Sequence, residues 1–119
     1  MNAPARLSAI DRTIAEMPAR AADTLEAVIE TGAAMMVKQR WRIIRALRPW
    51  APAMWQEPVD LEALLDEARQ RIASQEQAGR AGHCHIFNVN RLIAFRQAER
   101  ALMKLAADAQ CAARMEETG

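Results

Sequence analysis

A chain of 119 residues, 51% hydrophobic, 26% charged and 4% aromatic with a formal net charge of +1, has the size and make-up of one folded domain. That apolar share is too high for an intrinsically disordered chain, and no uncharged run approaches the roughly 20 residues of a membrane span. Two cysteines exclude a disulfide-stapled scaffold, and a charge so near zero argues against strong attraction of the whole chain to nucleic acid.

The first seven residues, MNAPARL, hold no apolar core behind a basic start, so no secretory signal is expected. The reading is cytoplasmic, with Cys84 and Cys111 reduced. Twenty-six alanines, and fourteen arginines against two lysines, mark a helix-forming, arginine-biased chain. A first helix is predicted over 8–17, where Leu7, Ile10, Ile14 and Met17 recur at helical spacing and Ser8 or Asp11 can cap the start. Pro18 suits the first turn of a second helix, predicted over 18–48. Its positions Leu25, Val28, Gly32, Met35, Gln39, Ile43 and Ala46 approximate three-four spacing, widened by Ile29, Met36, Ile44 and Leu47. A stripe that wide packs against more than one neighbour. Gly32 costs about 1 kcal/mol relative to alanine in mid-helix, which signals close packing or a bend.

Pro49, Pro52 and Pro58 forbid helix across 49–58. Trp50, Met54 and Trp55 are costly to leave in water, so this connection is expected to fold back onto the bundle. A third helix over 59–78 opens with Asp60, Glu62, Asp66 and Glu67, which suit the helix dipole, and aligns Leu61, Leu64, Leu65, Ala68 and Ile72. Gly79 and Gly82 end it in a short turn. A fourth helix over 88–115 carries Leu92, Phe95, Ala98, Leu102, Leu105 and Ala109 on one face. No segment alternates like a strand. The expected fold is an all-α bundle of about four helices, two of them long. Helices over 25 residues reach roughly 40 Å, beyond the ~30 Å of a compact domain this size. They either bend or project, and the reading favours self-association, as a dimer with an interhelical seam, over a kinked monomer.

Charge is sorted along the chain: 38–48 holds five basic residues and no acid, while 57–67 holds five acids and no base. On a helix Lys38, Arg42 and Arg45 share a face, with Arg48 and Trp41 at its edge and Arg40 in the same run. Guanidinium groups engage phosphate in two bonds, and tryptophan stacks on an exposed base, so this run is the leading candidate for contact with DNA or RNA. The competing account pairs the same cations with the acidic 57–67 block. Arg96, Arg100 and Lys104 form a second basic row at i, i+4, i+8, with Arg91 nearby, as any solvated helix face can. The Gly79–Gly82 turn also admits a helix-turn-helix that presents Asn90 and Arg91 to base edges, although the preceding helix is long for one.

His83-Cys84-His85 is the one cluster resembling metal ligands, but adjacent ligands crowd a tetrahedron and the spacing does not fit a standard zinc site, so no metal or other cofactor is expected. Carboxylates at i, i+4 spacing, among them Glu26 and Glu30, and Glu62 and Asp66, lack the Glu-x-x-His partners of a di-metal bundle. No Ser-His-Asp set, phosphate loop or HExxH motif occurs, so catalysis is not expected. Trp50, Met54 and Trp55, with Trp41, Met35 and Met36, either grip a protein partner or cap the core. The sequence therefore points to a non-enzymatic, self-associating helical protein that contacts nucleic acid through a basic helix. Its role would be assembly or regulation, as in phage-type DNA packaging or transcription control. The alternative is a protein-binding adaptor or inhibitor that uses the Trp/Met/Arg surface and no nucleic acid.

Overall fold

The computed structural model describes residues 19–83 and 86–118, so the helix predicted over 8–17 and the side chains of Cys84 and His85 lie outside the described residues. Among those described, the chain is all-helical: α1 (Ala19–Lys38), α2 (Trp41–Leu47), α3 (Leu61–Arg80) and α4 (Val89–Thr118). The fold is the expected bundle, with α4 as its spine. α1 and α3 flank α4 along much of its length, and the short α2 closes the end between them.

The helix predicted over 18–48 is two helices, and the break falls at Gln39 and Arg40, not at Gly32. There the hydrogen bonding tightens, with the Arg42 N–H bonding to the Gln39 carbonyl at 2.9 Å and the Ile43 N–H to the Arg40 carbonyl at 3.0 Å. The cause lies in the apolar pattern. Met36, Ile43, Ile44 and Leu47 are all buried. On a straight helix at 100° per residue, Arg40 would stand about 40° from Met36, inside the arc bounded by Ile43 and Ile44. Breaking the helix buries all four apolar side chains and leaves Arg40 exposed, bonded to Glu57 at 3.2 Å.

Gly32 instead serves close approach: a Cβ there would collide with the Gln97 side chain, whose amide donates to the Val28 carbonyl at 3.0 Å and ties α4 to α1. The buried seam of α1 and α2 runs through Ile29, Ala33, Met36, Ile43, Ile44 and Leu47, while Val28 and Met35, expected on it, face outward. On α3 the core residues are Leu64, Ala68 and Ile72. On α4 they are Leu92, Phe95, Ala98, Ala101, Leu102 and Leu105, after which α4 runs on largely exposed.

Local chemistry sets the helix ends. The Asp60 carboxylate caps α3 by accepting from the Ala63 N–H at 3.1 Å. α3 closes with a paired motif in which the His83 N–H bonds to the Ala78 carbonyl and the Gly82 N–H to the Gly79 carbonyl. Gly82 takes φ +73°, the left-handed conformation that motif needs. Asn88 caps α4 through its side-chain oxygen, which accepts from the N–H groups of Asn90 and Arg91. The connection from 49 to 58 folds back only in part. Trp55 packs against the core, whereas Trp50 is 69% and Met54 56% exposed. No helix among the described residues is long and apolar enough to cross a membrane.

Candidate functional site

A cleft of about 620 Å³ opens where the end of α2, the middle of α3 and the first turns of α4 meet. Each helix contributes an arginine to its lining: Arg45 from α2, Arg71 from α3 and Arg91 from α4. Apolar surface comes from Ala46, Pro49, Ala94 and Phe95, and polar edges from Gln70, Ser74, Asn88 and Asn90. Trp50, just beyond α2, stands at the rim with the Arg71 guanidinium 4.6 Å from its ring centroid. Such a cation over an aromatic face fixes both groups and leaves the other face of the indole available.

Among the lining residues Glu67 is the one carboxylate, and it is already committed. Arg48 grips it in a fork, Nη2 to Oε1 at 2.6 Å and Nε to Oε2 at 2.9 Å, while Arg71 lies farther off at 3.7 Å. The Arg48 hydrogen bonds hold the Glu67 carboxyl below its ordinary 4.5 against an opposing effect of burial. The same bonds raise the Arg48 guanidinium. Arg71 also has a buried Nε with no hydrogen-bond partner. The cleft wall is thus cationic, with its single anion held mainly from outside the lining.

The sequence candidates distribute unevenly around this geometry. Arg45 lines the cleft and also a depression of about 250 Å³ that it shares with Arg42, Met35 and Gln97. Arg42 lies over the Trp41 ring at 4.9 Å and bonds to the Gln39 side chain. Lys38 ends α1, exposed, and lines neither. Arg40 pairs with Glu57 and Arg48 with Glu67, so both meet the acidic 57–67 block. The second basic row also meets carboxylates within the chain. Arg100 reaches Glu26 at 2.9 Å and Glu30 at 3.2 Å, Lys104 reaches Glu30 at 3.0 Å, and Arg96 lies 3.4 Å from Glu99. Lys104, foremost through its hydrogen bond, keeps the Glu30 carboxyl below its ordinary value, and Glu26 foremost raises Arg100.

Trp55 donates its indole N–H to Glu57 at 2.9 Å. His83 is exposed at the turn after α3, and among the described residues no group of three or more His, Cys, Asp or Glu is placed to hold a metal ion. Helices of 20 and 30 residues flank that turn, longer than a helix-turn-helix calls for. Sequence reasoning missed Arg71, and it placed Arg91 beside the second row and, with Asn90, in the helix-turn-helix reading, not with Arg45. Arg71 carries no local signal beyond its i, i+4 relation to Glu67, because its role depends on which face of α3 meets α2.

Comparison of the chain with protein-family models, with curated proteins and with solved structures returns no match.

Proposed function

We propose that this chain is a non-enzymatic nucleic-acid-binding protein in an assembly or regulatory role. Its contact surface would run from Arg42 and Arg45 on α2 into the cleft lined by Arg71 and Arg91. The observation that carries the reading is the convergence of Arg45, Arg71 and Arg91, from three helices, on one cleft whose one lining carboxylate is engaged by Arg48. Forked cations around a concavity suit phosphate, and exposed Trp41 and Trp50 beside them suit bases. Phosphate contacts of this kind position a strand with little base readout. Self-association, with a dimer favoured, belongs to the same proposal and draws support from the exposed end of α4 and from Val28 and Met35 on α1. The test is fluorescence anisotropy with labelled DNA at about 50 and 200 mM salt. Binding should weaken by orders of magnitude across that range, and the R42A/R45A double variant should bind less and lose about one counterion of salt slope per contact removed. Unchanged affinity and slope in the double variant would remove this surface.

A second reading rests on a different observation. Trp50 and Met54 are 69% and 56% exposed on a proline-braced connection, the condition for a protein-binding adaptor or inhibitor. Retained capture of a protein ligand in R42A/R45A, with loss in W50A/M54A, would favour it.

A further inference from the structure

We infer that the cleft between α2, α3 and α4 takes an unpaired nucleotide unit, so that the nucleic acid bound is single-stranded; this rests on the nucleic-acid reading above. Three observations converge. The cleft, at about 620 Å³, is of the size that encloses one nucleotide-sized ligand. A duplex keeps its bases stacked inside and cannot lower a whole nucleotide into such a recess without extruding the base.

The second observation is stacking. Trp50 is 69% exposed at the rim, and Arg71 covers it from one side only, 4.6 Å from the centroid. A base laid on the other face would complete a base–indole–guanidinium stack, leaving Arg45 and Arg91 to meet the flanking phosphates. Gln75 is not available to read that base. Its side chain is committed in both directions, with Nε2 donating to the Ile86 carbonyl and Oε1 accepting from the Asn88 N–H. Gln70 and Asn90, both exposed, and the Nδ2 of Asn88 are left to meet a base edge.

The third is the shortage of cations for a duplex. A duplex needs basic residues spread along its backbone, yet Arg40, Arg48, Arg100 and Lys104 all hold carboxylates of this chain. Arg45 and Arg91, in no ion pair with a carboxylate, line the cleft, and Arg42 lies on the adjoining face of α2.

The experiment titrates the full chain with a labelled single-stranded DNA of about 12 nucleotides and with the matched duplex, in parallel. Single strand should bind about tenfold or more tighter than duplex. W50A and R91A should each weaken it about tenfold, while R20A, which removes the same charge away from the cleft, leaves it unchanged. Thermal melting of each variant reports that the fold is intact. A second readout needs no loss of binding: single strand should quench the intrinsic tryptophan fluorescence in W41F and fail to do so in W41F/W50F. Duplex bound as tightly as single strand, or quenching that survives in W41F/W50F, overturns the single-strand assignment and leaves the nucleic-acid reading standing. Binding of neither probe at low salt removes both.

Discussion

Arg48 and Glu67 show what one ion pair does here. The fork is well formed, but Arg48 is 40% exposed and Glu67 22%, so water screens the pair. R48A should therefore cost about 1 kcal/mol at neutral pH, well short of the loss on breaking a buried pair. The sign of the pH dependence follows from Glu67. Its folded carboxyl titrates below the ordinary 4.5, so the pair's contribution is fully present above that value and is lost as the pH falls through the lowered one. Arg48, shifted upward, stays charged throughout. Urea denaturation between about pH 3 and 7 should show an acid limb less steep in E67Q than in the parent chain; equal limbs would mean that other carboxylates carry it.

At the scale of elements, Gln75 is the residue to disturb. It is 7% exposed, and it bridges α3 to the turn before α4 through the Ile86 carbonyl at 3.3 Å and the Asn88 N–H at 2.8 Å. Q75L keeps the volume and strands both backbone groups, at a cost of about 1–3 kcal/mol. The urea midpoint should fall with its slope unchanged; a midpoint within error of the parent would show that water replaces both bonds. The faces of α3 and α4 were legible because Leu64, Ala68 and Ile72, and then Leu92 through Leu105, repeat with the helical period. The break at Arg40 was also written in the sequence, as a cation inside an apolar arc, but it shows only when Ile43 and Ile44 are both required to be buried. Trp50 misled because apolar content forecasts burial on average and cannot say which of three tryptophans finds the core.

For the whole molecule, the bundle was legible and the candidate site largely was not. Arg45 could be singled out from its own helix, whereas the cleft exists only once three helices place Arg45, Arg71 and Arg91 together. The molecule measures 50 × 34 × 27 Å, long because α4 continues past its last buried residue, Leu105. If that projecting end supplies an interhelical seam, sedimentation of the full chain should give twice the 13.3 kDa chain mass. A chain ending at residue 106 should sediment as a monomer and still melt cooperatively. A full-length monomer would discard the seam.

The pairing of α1 with α4 has a cost in time. Val28, Glu26 and Glu30 meet Gln97, Arg100 and Lys104 across 69 to 74 residues of chain, whereas the Gln75 bridge between α3 and α4 spans only 11 to 13. Loop-closure entropy grows as three-halves RT times the logarithm of loop length, so the longer closure is harder by about 1.6 kcal/mol. The hairpin of α3 and α4 is the cheaper structure to nucleate. The ion pairs that hold Arg100 and Lys104 can then form only when α1 arrives, so a half-folded chain displays two cations that the finished protein neutralises.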